Sequence, residues 1–128
     1  MGRGDESGSA ATELVVIMPA VMLLIMLVIQ FALYYHGANV ATAAAQDAVR
    51  AARVEAGSVG AGRNRADALL ARSGSGTLQG AQVSVSRDGR RVHVEVAGEV
   101  ASVIPGVHLH ITRNADGPIE QCLPPEQR

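Results

Sequence analysis

Four groups of residues have types and spacing that bear on chemistry. His108 and His110 stand two apart in an alternating stretch, so on a strand they share a face and could offer two imidazoles to a metal. No acidic or cysteine partner lies at a ligand-like spacing, and His93 is the only other histidine nearby. Two solvent-facing histidines opposite a valine and leucine face is the simpler reading, and no metal is predicted. Gly57 to Gly62 is glycine-rich, but it follows a helical pattern and lacks the Gly-Lys-Ser/Thr ending of a phosphate loop. There is no Gly-x-Ser-x-Gly elbow, and Cys122 is the single cysteine, which excludes an internal disulfide and leaves a free thiol or a bridge between chains.

The fourth group is Glu13, directly before the uncharged run Leu14–Tyr35. An ionised carboxylate within a membrane helix costs about 2.5 to 3.5 kcal/mol at the centre and less at the edge. Two readings remain open. In one, Glu13 is interfacial and favoured by the dipole of a helix starting near Ser9, an acceptable N-cap. In the other, a cut between Gly8 and Ser9 creates an α-amine, and Glu13 pairs with that amine on a neighbouring subunit. Neither is a catalytic role, so the chain is not expected to be an enzyme or to hold a cofactor.

The elements that position these residues follow from periodicity. Leu14–Tyr35 forms a helix of roughly 33 Å at ~1.5 Å per residue, enough for a hydrocarbon core of ~30 Å. Pro19 removes a backbone donor and crowds the carbonyl of Val15, which predicts a kink. The helical pattern continues to about Ala56, with rows of small residues at Gly37, Ala41 and Ala45 and at Ala44, Ala48 and Ala52. Such rows let helices approach closely, although alanine is also simply the best helix former. Gly57 to Gly62 reads as a breaker, followed by a short helix capped by Asn64 and ending before Gly74, then a flexible stretch from Ser73 to Gly80. Val83 and Val85, a tight Asp88-Gly89 pair, and Val92, Val94 and Val96 read as a hairpin; Val107, Leu109 and Ile111 read as a third strand. The tail from Asn114 to Arg128 carries three prolines and reads as irregular.

Composition agrees with a membrane-anchored chain. The net charge is −1, with 11 basic and 12 acidic residues scattered along the chain, so no basic stripe tracks phosphates and nucleic acid is not an expected partner. Phe31, Tyr34 and Tyr35 are the whole aromatic complement and lie at the end of the apolar run, where tyrosine suits a membrane interface. The region after His36 must build its core from small aliphatics, which makes it marginal alone and dependent on the long helix, on partner subunits, or on both.

The segment Gly8-Ser-Ala-Ala-Thr-Glu-Leu-Val-Val-Ile-Met-Pro19, the apolar run, Gln30-Phe-Ala and the trailing Ala44–Ala52 stretch resemble the TadE-like family of tight-adherence pilus-assembly proteins, related to type IV pilins. The resemblance implies a leader at residues 1–8, with Gly8 preceding the bond cut by a prepilin peptidase. Ser9 would then be the mature, methylatable N-terminus and Glu13 its fifth residue. It covers roughly residues 8–56 and implies a long helix over 9–56 with the transmembrane segment at 14–35; downstream it agrees only in general layout with the small α+β domain over 57–113 and the tail over 114–128 that the residue patterns predict. The implied fold is α+β: the transmembrane helix, a short helix and a three-stranded antiparallel sheet. The implied partners are other pilin or pseudopilin subunits, the prepilin peptidase, the pilus assembly platform and membrane lipid. The implied location is the bacterial cytoplasmic membrane, with the N-terminus inside and the domain outside. Arg3 is the single basic residue of the leader, and Arg50 and Arg53 lie beyond the span, so charge asymmetry does not itself orient the chain. Two rival readings are a secreted binding module cut after Ala41-Thr42-Ala43 and an unprocessed single-pass anchor.

Overall fold

The structure, a computed structural model, describes residues 3–54 and 57–119; Cys122, Pro124 and Pro125 lie outside the described residues. Helix α1 spans Arg3–Arg53 and helix α2 spans Val59–Ser73. Strands β1 (Leu78–Asp88), β2 (Arg91–Val100) and β3 (Leu109–Pro118) follow. The sheet is antiparallel in the order β1-β2-β3, so the architecture is α+β, as the sequence predicts.

At 51 residues α1 is about 77 Å long at 1.5 Å per residue. It begins well before Ser9, which is therefore an internal helical residue rather than an N-cap, because extending a helix backwards is far easier than nucleating one. The helix also runs unbroken through Pro19. Its two halves differ in what they touch. Leu14 to Ile29 is exposed almost throughout, whereas Ala38, Ala41, Ala45, Ala48 and Ala52 form a buried stripe at helical spacing.

The expected breaker at Gly57–Gly62 starts α2 instead. Ser58, with extended φ and ψ of −132° and 166°, is its N-cap, and Ser58 Oγ accepts from the Ala61 N–H at 3.1 Å. That cap offsets the poor propensity of Gly60 and Gly62, and it leaves Asn64 inside the helix. At the other end the Gly74 N–H donates to the Leu70 carbonyl at 2.8 Å.

Helix α1 packs on β2 and β3, while α2 packs on α1 and β1. Val92, Val94 and Val96 point into this layer and are fully buried, which is the period-2 pattern of a half-buried strand. The hairpin loop is Gly89-Arg90, one residue later than expected, since Asp88 pairs with Arg91. Strand β1 starts earlier than the predicted flexible stretch allows. The register slips between Gln79 and Gln82, and Gly80 takes φ +59° at that bulge. The extra residue lets Leu78 and Val83 both face inward although they lie five apart. Strand β3 begins at Leu109 rather than Val107 and runs on through Asn114–Pro118, where the sequence suggests an irregular tail. Those residues pair with Arg91–Glu95 of β2, and Pro118 sits at the strand's end on an outer edge of the sheet.

Candidate functional site

The first turns of the apolar half carry the expected processing residues. Gly8, Ser9, Thr12 and Glu13 are all exposed and, with Val16, line a shallow open hollow on one side of α1. Thr12 Oγ1 donates to the Gly8 carbonyl at 2.8 Å, so that carbonyl is already engaged by a side chain. A Cβ added at Gly8 would meet nothing within 4 Å, so the fold itself places no demand for glycine there. Glu13 is likewise idle: it has no hydrogen bond or ion pair among the described residues. Because α1 starts at Arg3, Glu13 lies several turns inside the helix, and the dipole of this helix start does not reach it.

From Leu14 onward the helix offers only hydrocarbon. Leu14, Val15, Val16, Leu23, Leu24 and Val28 are each about 60 to 70% exposed, far more contiguous apolar surface than a monomer in water displays. The helix is long and apolar enough to cross a bilayer, and almost none of its most apolar window is buried in the protein. At the end of this segment the Phe31 and Tyr35 rings stack at 6.2 Å.

The transition to the folded domain occurs at Gln30, the one buried polar side chain among the described residues. Its Oε1 accepts from the Val103 N–H at 2.9 Å and from Ser102 Oγ at 3.1 Å, and its Nε2 donates to the Ala101 carbonyl at 3.3 Å. The sequence offers one hint of this role, a single amide inside an uncharged run, but not the partners, which come from a loop some seventy residues away.

Beyond Gln30 the small-residue rows are used inside the chain. Gly37 faces Ile111, Val100 and Leu78, while Ala44, Ala48 and Ala52 are fully buried beneath the sheet and α2. Helix α2 approaches α1 closely at Gly62, where an added Cβ would lie 2.9 Å from the Ala48 carbonyl and 3.1 Å from Ala52 Cβ. The rows thus pack the domain's own helices and sheet, while Leu14–Ile29 stays exposed almost throughout.

His93, His108 and His110 contact carboxylates on the outer face of the sheet. His110 sits opposite Glu99 in the β2–β3 register, and Glu99 takes His108 Nδ1 at 2.7 Å and His110 Nε2 at 3.7 Å. The His108 hydrogen bond, more than the charges of the two imidazoles, holds the Glu99 carboxyl below its ordinary value. His93 pairs in the same way with Asp116 across the strands. Among the described residues no set of three or more such side chains converges as a metal site would.

Residues 8–50 match the family model of TadE-like protein, the family that the sequence resembles. The match takes in Gly8, Ser9, Glu13, Pro19 and Gln30 and ends within α1, so α2 and the sheet lie outside it. No curated protein and no solved structure matches the chain.

Proposed function

We propose that this chain, whose residues 8–50 match the TadE-like family, is a minor pilin or pseudopilin-like component of a bacterial tight-adherence pilus system. It is made as a single-pass precursor with its N-terminus in the cytoplasm and its α+β domain outside the cytoplasmic membrane. A prepilin peptidase cuts between Gly8 and Ser9. The released helix packs against other pilin subunits, and the protein turns over no substrate.

The observation that carries this reading is the pairing of an unused glycine with an unused carboxylate at the head of a bare apolar helix. Gly8 meets no neighbour that requires it, and Glu13 has no partner among the described residues. A cut at Gly8 would move the helix start to Ser9 and bring Glu13 within about a turn and a half of the new positive end. There it can pair with the α-amine of a neighbouring subunit, which removes the cost of a lone carboxylate at the membrane edge. The buried stripe from Gln30 onward keeps the domain attached to the same helix, so the packing surface and the domain move as one piece.

The signal-peptide alternative fares worse on packing. A cut after Ala43 would remove Ala38, Val40 and Ala41 from the core they help to form, and Gln30 from its bonds to the 101–103 loop.

The N-terminus of the mature protein, sequenced from its own host, tests the reading. Ser9 is expected; Ala44 would identify signal-peptidase cleavage, and Met1 or Gly2 an unprocessed anchor. Normal cutting of a Gly8→Ala variant would remove the prepilin assignment, and a Glu13→Gln variant that is processed and incorporated as before would remove the pairing role.

A further inference from the structure

We propose that the loop between β2 and β3 is a second membrane-contacting element, held inside the outer leaflet by Gln30, with a phospholipid acyl chain filling the groove between this loop and α1. The proposal rests on the reading that Leu14–Tyr35 spans the bilayer, and it adds a lipid site on the folded domain.

Depth is the first argument. The loop is pinned to Gln30 through the Val103 N–H, the Ala101 carbonyl and the nearby Ser102 hydroxyl, and Gln30 lies about 7.5 Å along the helix axis inside the end of the apolar run at 1.5 Å per residue. The groove reaches further, to Leu27, about 12 Å from Tyr35 on the same scale. A helix that spans with residues 14–35 therefore carries this loop below the level of its own interfacial tyrosines.

Chemistry is the second. Val100 to Val107 contains no charged residue, and Val103 is 40% exposed at the loop's surface. Irregular backbone survives at membrane depth only where its polar groups are satisfied internally. Here the Val103 N–H is taken by Gln30, the Ile104 N–H donates to Ser102 Oγ at 3.2 Å, and the Val107 N–H donates to the Ile104 carbonyl at 3.3 Å. The Ser102 hydroxyl has one proton, which serves either Gln30 Oε1 or the Ile104 carbonyl at 2.9 Å. Three of the loop's backbone N–H groups are thus taken up within the protein, at Val103, Ile104 and Val107.

Continuity identifies the occupant. The groove has a volume of about 420 Å³, with Leu27, Phe31 and Tyr34 of α1 on one side and Ile104, Val107 and Leu109 on the other. It opens onto the exposed apolar surface of α1, so whatever solvates Leu23, Leu24 and Val28 also reaches the groove. In a bilayer that solvent is acyl chain. No buried side-chain nitrogen or oxygen is left unpaired among the described residues, so nothing in the walls calls for a polar ligand.

The test uses the full chain in phosphatidylcholine vesicles, in a Cys122→Ser background, with an environment-sensitive fluorophore on one introduced cysteine and a quencher on the lipid acyl chains. Val103→Cys and Val107→Cys are expected to show blue-shifted emission and loss of fluorescence comparable with Leu24→Cys at mid-span. Ser84→Cys on the outer sheet face should show neither. Val103 and Val107 labels that behave like the Ser84 label, while Leu24 is quenched, would overturn the inference and leave the anchor intact. Blue-shifted but unquenched loop labels would mean that protein, such as a second copy of the chain, covers the groove, and would overturn lipid occupancy. An unquenched Leu24 label would overturn the spanning helix and the loop proposal with it.

Discussion

The backbone N–H of Val103 donates to Oε1 of Gln30 at 2.9 Å, and this contact joins the apolar half of α1 to the folded domain. Between Gly8 and Ile29 no residue of the helix is buried; after Gln30 a stripe of alanines and valines is sealed against the sheet and α2. A polar side chain placed inside an apolar run costs stability unless it is satisfied, and the 101–103 segment satisfies it through the Val103 N–H and the Ala101 carbonyl, with the Ser102 hydroxyl as a further donor within reach. One residue thereby sets where the domain begins along the helix.

Gln30→Leu should loosen that junction. The substitution removes the acceptor of the Val103 N–H, and leaving a buried donor unpaired costs about 1 to 3 kcal/mol. Faster hydrogen exchange at the Val103 amide, with exchange on β2 little changed, is the expected result. Unchanged protection would mean that the Pro105–Val107 turn alone holds the loop.

Two glycines of α2 offer a matched comparison. Gly60→Ala and Gly62→Ala each gain about 1 kcal/mol of helix propensity. At Gly60 the new methyl meets only Ser58 Oγ at 3.6 Å, so the melting temperature should hold or rise. At Gly62 it lies 2.9 Å from the Ala48 carbonyl, and overpacking of about 1 to 3 kcal/mol should outweigh the propensity gain. Thermal unfolding of the two variants, read by far-ultraviolet circular dichroism, checks the sign of each.

This packing also explains which parts of the molecule were legible in the sequence. Val83, Val85, Val92, Val94 and Val96 announce the hairpin because alternation is a local signal and one face is buried. Leu78 was hidden because the bulge at Gly80 breaks that alternation, and Asn114–Pro118 was hidden because strand pairing with β2 overrides a polar, glycine- and proline-containing composition. Ser58 was obscured by the glycines around it. Gly8, Ser9 and Glu13 were legible as a pattern, since their spacing before an uncharged run is a property of the chain alone. The partners of Gln30 depend on a long-range contact, and the meeting of Glu99 with His108 on how the β2–β3 loop folds back, neither of which periodicity encodes.

Glu99 gives a pH signature. Its carboxyl is held below its ordinary value of 4.5, first by the His108 hydrogen bond and then by the nearby imidazole charges, partly opposed by desolvation. A carboxyl with a depressed folded value adds stability that is fully present above the unfolded value and is lost as pH falls through the folded one. Wild type should therefore exceed Glu99→Gln in melting temperature at about pH 6, and the gap should close toward about pH 3. A gap of the same size at both values would show that the carboxylate charge contributes nothing.

The bond expected to be cut lies inside a helix, and that has a kinetic consequence. Gly8 and Ser9 are internal to α1, and the Gly8 carbonyl is engaged by the Thr12 hydroxyl. Attack on that carbonyl requires the turn to open. Ala11 is exposed, so Ala11→Gly should act on helix opening without disturbing any packing. Glycine costs about 1 kcal/mol relative to alanine in a helix interior, which corresponds to a roughly fivefold larger open fraction. Pulse-chase conversion of precursor to mature protein should accelerate by about that factor if opening precedes docking on the peptidase. Thr12→Val, which removes only the hydroxyl bond to Gly8, should accelerate it less. Equal rates in all three proteins would place the opening after docking, with the peptidase itself unwinding the turn.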